Sequence, residues 1–373
     1  MQGRSDRPQV LFVGAGHAHL YALSRARQYI EAGVDLTLIA PGRFWYSGMG
    51  PGLLSGLYRG AEDSVDIGKV VVAAGGTYIE DEITAIDCEQ NSVTVGQGRQ
   101  LSYDAMSLNL GSSVPVGMIP GGVEFAIPVK PVQYFLEIRN RLLEHDTEAG
   151  PHRLVVIGGG ASGCETAANA LALAAQSGLT LELTLISSAD RLLPQAPRRG
   201  SDFLTKWFKD NGGAVRLSTR VVEITEDEVV VESGESSAWD TVVLATGVRP
   251  PGVLGRSTLE TSKDGAMVVD ETLQSVSARG VFGGGDCIAL RGHGLDRVGV
   301  YAVRQSPILH HNLLAATTGG LLRTFKPQSS YLLILNLGDG SGLLLWKGFV
   351  VRSRWAMRFK HWLDWKFISQ YSV

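Results

Sequence analysis

Cysteine is scarce in this chain. Three occur in 373 residues, Cys88, Cys164 and Cys287, far apart and without CxxC or metal-ligand spacing. That excludes a disulfide scaffold and fits a reducing compartment. Neither sign of charge is in excess: 34 Lys and Arg stand against 37 Asp and Glu, a net of −3, so nothing global points to nucleic acid. No apolar run approaches the ~20 residues that a bilayer span needs. The polar N-terminus runs straight into an apolar strand, so no signal peptide is expected. The expected location is the cytoplasm, either free or peripheral on the inner face of a membrane. No metal site is expected. His17 and His19 lie two apart and would fall on different faces of a helix, and His310 and His311 are adjacent and diverge.

Glycine is plentiful, at 46 residues. Two stretches share one plan. Val10 to His19 reads VLFVGAGHAH, and Leu154 to Gly163 reads LVVIGGGASG. Each is a buried-type strand, a glycine turn and the start of a helix. In such a turn the backbone approaches a pyrophosphate and the helix N-terminus faces its charge. A lone glycine turn is weak evidence, but each copy has the same downstream partner. Asp104 to Ser112 (DAMSLNLGS) follows the first, and Asp240 to Val248 (DTVVLATGV) follows the second, at nearly the same interval. Repetition in order implies an internal duplication of a nucleotide-binding unit. Two such units imply two dinucleotides, and redox chemistry between them.

Taken in order, Pro8–Val13 predicts a strand, His17–Ala32 a helix and Val34–Ile39 a second parallel strand. His19 stands where the third glycine of the fingerprint normally allows close helix–strand packing. A packing role is expected for it at the edge of the cofactor site. The second strand ends in Ala40-Pro41-Gly42-Arg43, not in the usual ribose-binding acid, so a backbone group or Arg43 must substitute. Phe44–Tyr58 is a loop dense in aromatics and glycine, expected to wrap a cofactor. Val70–Val95 reads as alternating strands of a small sheet. A helix is predicted over Val132–Leu143, and the polar segment Glu144–His152 reads as a linker.

In the second unit Gly158, Gly160 and Gly163 complete the fingerprint. Glu165 follows on what reads as the first helical turn, where the dipole would stabilise it. Placement beside the nicotinamide or flavin edge is the alternative, and both remain open. Leu181–Ile186 is the next strand, ending in Ser187-Ser188 with Arg191 shortly after. An acid there favours NADH and an arginine tolerates NADPH, so serines plus Arg191 leave that choice open, tilted toward NADPH. Gly280–Cys287 (GVFGGGDC) is a short strand into a turn, where Asp286 could accept a bond from a flavin ribityl hydroxyl. Val300–Ala315 predicts a helix with Tyr301 and Gln305 on one face. The tail predicts a hairpin, Tyr331–Leu337 with Leu343–Lys347, and then a helix over Arg352–Tyr371. Trp355, Phe359, Trp362, Leu363, Phe367 and Tyr371 form a stripe on it, flanked by Arg352, Arg354, Arg358, Lys360 and Lys366. Such a helix suits a membrane interface, or docks on the body of the protein or on a second subunit.

The order GxGxxH, NLGS, GxGxxGxE, ATGxRP (Ala245–Pro250) and GGGD resembles the flavoproteins with two dinucleotide-binding domains, over nearly the whole chain. Within them it looks most like the type II NADH:quinone oxidoreductases. It is closer still to the oxidoreductase module fused ahead of selenide, water dikinase. His17–His19, Tyr46–Gly52 and Val300–Gln305 carry that closer match. The kinase is absent, so a selenium role is an association only. The resemblance implies an α/β fold with two Rossmann-like domains, the NAD(P)H domain inserted in the FAD domain, plus a C-terminal hairpin and amphipathic helix. The implied boundaries are 1–130 and 265–325 for FAD, 131–264 for NAD(P)H, and 326–373 for the tail.

By position, Gly14, Gly16, His19, Arg43, Gly111, Gly285, Asp286 and Tyr301 would surround FAD. Gly158, Gly160, Gly163 and Gly247 would cradle NAD(P)H. Glu165 and Gln305 would position the rings and handle protons, with Gln305 at the quinone site. The expected function is an FAD-dependent NAD(P)H oxidoreductase passing electrons to a quinone or another small acceptor. A sulfide:quinone oxidoreductase would need cysteines beside the flavin. A redox-sensing module would hold both cofactors without rapid turnover. Monomer and homodimer both remain open.

Overall fold

A computed structural model describes residues 6–60, 64–146 and 150–371. Two parallel five-stranded sheets organise it. In the first, the order across the sheet is Val281–Gly283, Ala105–Leu108, Gln9–Val13, Asp35–Ile39 and Thr77–Ile79. In the second it is Ala126–Pro128, Thr241–Leu244, His152–Ile157, Leu181–Ile186 and Gly213–Arg216. The central strands Gln9–Val13, Ala105–Leu108, His152–Ile157 and Thr241–Leu244 are almost wholly buried, as a parallel sheet covered on both faces requires, whereas Asp35–Ile39 and Leu181–Ile186 alternate toward the edges.

The duplication extends beyond the glycine turns. Each unit places a three-stranded antiparallel meander between its outer strand and its returning strand. In the first unit it is Ile83–Asp87, Ser92–Val95 and Arg99–Ser102; in the second, Val221–Ile224, Glu228–Val231 and Ser236–Ala238. Both meanders carry a register shift between their first two strands.

Several elements differ from the sequence reading. The helix predicted over His17–Ala32 is two helices, His17–Leu23 and Ala26–Glu31. At the break the Ser24 hydroxyl donates to the Tyr21 carbonyl at 3.0 Å, a local bond that competes with the helix ladder. Val70 does not open a sheet. Ile67–Ala73 is a helix whose N-cap Asp66 accepts the Lys69 N–H, and Thr77–Ile79 joins the parallel sheet. The Phe44–Tyr58 segment folds into a two-residue strand, a 3-10 turn and the helix Gly50–Ser55. Ala126–Pro128 pairs with Thr241–Leu244, so the second sheet begins ahead of the boundary expected at 131.

The tail is a three-stranded antiparallel sheet, Leu333–Asn336, Gly342–Trp346 and Phe349–Ser353, followed by the helix Arg354–Ser369. The helix expected from Arg352 begins at Arg354 instead, and Phe349–Ser353 forms a third strand that the expected hairpin did not include. Ser353 ends the strand and caps the helix by accepting the Ala356 N–H at 3.0 Å. This helix buries a charged pair among apolar residues and leaves three aromatics outside. Ala356, Met357, Lys360, Asp364 and Ile368 are buried, while Trp355 is 74% exposed, Trp362 52% and Phe359 43%. No helix among the described residues is long and apolar enough to cross a membrane.

Candidate functional site

Each glycine turn lies at the carboxyl ends of its sheet's strands, with the same backbone bonds. Gly14 N–H donates to Ile39 O and Asn109 N–H to Val13 O; Gly158 N–H donates to Ile186 O and Ala245 N–H to Ile157 O, all at 2.8 Å. Gly14 (φ +88°) and Gly158 (φ +128°) occupy left-handed conformations that favour glycine. A Cβ on either would lie 2.2 Å from a carbonyl oxygen, Asn109 O or Ala245 O.

The third position separates the units. A Cβ on Gly163 would lie 1.8 Å from Gly158 O, so only glycine lets that helix rest on the turn. In the first unit His19 Nδ1–H donates to the matching carbonyl, Gly14 O, at 2.6 Å. Its Nε2 therefore accepts from the Ser107 hydroxyl, at 2.8 Å. Burial pushes the imidazole down to about 4 and keeps it neutral. Both ring nitrogens are engaged with protein, which gives His19 a packing role.

Around the first turn, Gly285 N–H donates to Gln305 Oε1 at 2.7 Å, and Gln305 is buried. Asp286 Oδ2 accepts from the Ser112 hydroxyl at 2.6 Å and from Lys130 Nζ at 2.7 Å. Lys130 holds this carboxyl below its ordinary range against the opposing effect of burial, which is the larger single influence. Tyr301 lies in the first turn of the helix Gly299–Thr318, its hydroxyl donating to Gln328 O at 3.4 Å. Arg43 bonds the Ser64 hydroxyl at 3.1 Å and pairs with Asp66 at 3.4 Å. The sequence reading missed Lys130, Ser112 and Asn109. Asn109 stood within the NLGS stretch, but Lys130 lies far from its partners in sequence.

In the second unit Glu165 is one turn further along its helix, Ala161–Ser177, than the sequence reading placed it. Its side chain reaches the tail, where Oε1 accepts the Asn336 N–H at 2.7 Å. Burial pushes its carboxyl up to about 7, opposed by Lys360 and by that N–H. Arg191 donates to Ala196 O and to the Ser201 hydroxyl, each at 2.9 Å, and to Pro194 O. Its own loop thus holds its guanidinium. Cys164 and Cys287 are buried free thiols directed at backbone carbonyls, and burial raises both, Cys287 to about 12.

The tail closes onto both units, its sheet onto the second through Asn336 and its helix onto the first. Lys360 Nζ donates to Asp364 Oδ2 and to Gly48 O, both at 2.6 Å, and Tyr46 donates to Asp364 Oδ1 at 3.0 Å. Phe367 stacks on His17 with centroids 5.8 Å apart. Burial raises the Asp364 carboxyl, opposed by Lys360. The aromatics of the Phe44–Tyr58 segment thus meet the tail helix. The outward face carries cations above its rings, Arg358 over Trp355 and Lys366 over Trp362 at 5.0 and 4.8 Å, and Lys347 over Trp346 at 5.2 Å.

Residues 8–312 match the pattern of the pyridine nucleotide-disulphide oxidoreductases. The chain belongs to that family. It is 28% identical over 238 residues to an NADH dehydrogenase-like protein of Mycobacterium tuberculosis, across 61% of this chain and 59% of that relative. The chain therefore spans under two thirds of that relative's length. Two solved structures share its fold with a TM-score of 0.82. One is NDH2 of Plasmodium falciparum in complex with NADH, 15% identical, covering 98% of this chain and 99% of the other. The other is the sulfide:quinone oxidoreductase of Aquifex aeolicus, 17% identical, covering 98% and 91%.

FAD and NAD(P)H are the cofactors of this family. The residues present fit them. Added Cβ atoms on Gly111, Gly160 and Gly247 would meet nothing within 4 Å, so open space lies beside them at the strand ends. Asn109 Nδ2 is a buried donor without a partner beside the first turn. Among the described residues, Asp286 Oδ1 receives no protein hydrogen bond, while Oδ2 receives two.

Proposed function

We propose that the protein is an FAD-dependent NAD(P)H oxidoreductase whose acceptor is a quinone drawn from a membrane surface. FAD occupies the first unit and NAD(P)H the second. Bound FAD would supply two-electron redox chemistry between NAD(P)H and the acceptor. The observation that carries the reading is the outer face of the tail helix. It presents Trp355, Phe359 and Trp362 to solvent with cations alongside, which suits the interface of an anionic membrane. The inner face holds a buried ion pair beside Glu165 and Tyr46.

The balance of the reaction defines the protein's task. NAD(P)H, a quinone and one proton give NAD(P)+ and quinol, so one proton must come from water. Glu165, with a carboxyl near neutrality, can hold that proton and release it. Gln305 fixes the Gly285 turn and thereby the neighbouring Asp286. The glycines at 14, 16, 111 and 285 border the FAD, with Tyr301 at the start of the adjoining helix; those at 158, 160, 163 and 247 border the nicotinamide nucleotide. Arg43 and Glu80 are the charged groups beside the Gly42 turn that replaces the usual ribose acid, Glu80 Oε1 lying 3.7 Å from an added Gly42 Cβ. Buried single thiols held to backbone carbonyls do not suit sulfide chemistry.

An anaerobic titration tests this reading. NADH or NADPH should bleach the flavin absorbance within the mixing time, and a soluble quinone should restore it. A flavin that neither nucleotide bleaches would overturn the enzyme reading and favour a sensing module. Vesicles containing anionic lipid should retain the protein; no binding at low salt would remove the membrane from the proposal.

A further inference from the structure

The Asp286 carboxylate is asymmetric. Its Oδ2 takes both protein donors, Ser112 and Lys130, and Lys130 Nζ also donates to the Ser112 hydroxyl at 2.8 Å. Oδ1 is left for a hydroxyl from outside the protein. Lys130 follows the strand Ala126–Pro128, the edge of the second sheet, whereas Ser112 and Asp286 follow strands of the first. The ion pair therefore ties the two nucleotide-binding units together at one carboxylate.

The other groups facing this cluster do not replace Lys130. His17 is held neutral, down to about 4, by burial and by Lys130 itself. Arg297 donates from Nε to the Asp286 backbone carbonyl at 3.0 Å and pairs through its other end with Asp264. Lys130 is thus the cation in direct contact with the carboxylate among the described residues. A polyol hydroxyl bonds an ionised carboxylate more strongly than a neutral acid. Burial alone would drive Asp286 toward the neutral acid.

The geometry points to Lys130 as a positioning residue for FAD: with Ser112 it holds Asp286 by Oδ2, leaving Oδ1 for a ribityl hydroxyl, and so couples the NAD(P)H unit to flavin retention. This rests on FAD occupying the first unit, and the readout is flavin binding, not turnover.

FAD release from the holoenzyme on dilution, followed by flavin fluorescence between pH 5.5 and 8, tests it. Wild-type affinity should be flat over this range. Lys130→Met should weaken FAD by about tenfold to a hundredfold, the range for a lost charge-assisted bond, and increasingly toward acid pH. Lys130→Arg should stay within about threefold of wild type, as a retained cation should. Lys130→Met added to Asp286→Asn should weaken FAD no further than Asp286→Asn alone. An unchanged Lys130→Met profile, or fully additive losses, would overturn the inference. If Lys130→Met does not fold, Ser112→Ala is the second variant. It removes a single donor from Oδ2 and should weaken FAD severalfold; no change in it would also count against the cluster. A wild-type protein that takes up no FAD would overturn the cofactor assignment along with it.

Discussion

The two nucleotide-binding units meet one requirement in two ways. In the second, Gly163 removes every side-chain atom so that a helix can sit on the carbonyl of Gly158. In the first, His19 fills the space and bonds the equivalent carbonyl of Gly14. A second change accompanies the first. Ser107 pairs in register with Phe12, as Val243 does with Val156 in the other unit. The His19–Ser107 pair thus stands where the second unit has Gly163 and Val243. A contact usually made by close packing is made here by two directed hydrogen bonds, from two side chains that are both fully buried. Such a pair succeeds or fails together, because a buried polar group left alone is costly.

The largest effects should come from the shared feature. Gly14→Ala and Gly158→Ala each place a Cβ against backbone at positive φ, where nothing flexible can yield. Gly14→Ala should yield protein without flavin. Gly158→Ala should retain its flavin and lose reduction by NAD(P)H, by about a hundredfold or more, given the energies of such overlaps. The flavin-to-protein absorbance ratio and the rate of anaerobic bleaching separate the two. Identical losses in both variants would break the assignment of one cofactor to each unit.

Next in size is the exchange of the distinctive pair. His19→Gly leaves the Gly14 carbonyl and the Ser107 hydroxyl without their bonds and opens a cavity, at a cost of about 2–4 kcal/mol. Adding Ser107→Val rebuilds the arrangement of the second unit and should recover part of that loss. Denaturant unfolding monitored by circular dichroism gives both numbers. A double variant as unstable as the single one would show that the two positions are independent.

The glycine turns were legible because a parallel strand, a left-handed glycine and a helix start are all local, and because they recur. The compensation at His19 was half legible: the missing glycine was visible, but its partner Ser107 looked like any strand serine. Lys130 and Asp286 meet only after the two sheets dock, and nothing local marks that lysine. The tail shows the limit most clearly. The periodicity of Trp355, Phe359 and Trp362 placed them on one face, but it could not say which face points inward. That is decided by Lys360 and Asp364, which are satisfied by each other, by Gly48 O and by Tyr46. With those bonds made, two charged side chains can be buried beside Ala356, Met357 and Ile368; of the aromatic stripe, Trp355, Phe359 and Trp362 stay outside, while Phe367 and Tyr371 turn inward.

Glu165 has no counterpart role in the first unit, and it gives a moderate effect. Its carboxyl is raised from 4.5 to about 7 by burial. Between those values the native state holds a proton that the unfolded chain has lost, so this group's contribution to stability falls as pH rises through that window. Glu165→Gln should abolish that fall and be no less stable than wild type at pH 8. Quinone-dependent flavin reoxidation should fall about a hundredfold, the low end of the usual range for a positioned proton donor, and lose an inflection near pH 7. Flavin reduction by NAD(P)H should change little. A glutamine variant that keeps the inflection would remove Glu165 from proton handling and leave it as an anchor for Asn336.

The smallest effect on the fold is expected where the tail touches neither unit. Trp355 and Trp362 project outward, each beside a cation. Trp355→Ser with Trp362→Ser should shift unfolding by no more than about 0.5 kcal/mol, since exposed side chains contribute little to stability. Flavin content and reaction with a soluble quinone should also be unchanged. Retention on anionic vesicles should nevertheless drop about tenfold or more, because each interfacial aromatic contributes through buried area. Cosedimentation at low and high salt separates this aromatic contribution from that of Arg358 and Lys366. Because Phe367 on the same helix stacks against His17 of the first unit, a loss of flavin in this double variant would mean something different. It would show that the outer face of the helix steadies its inner face. The tail would then be part of the flavin site and not a separate foot on the membrane.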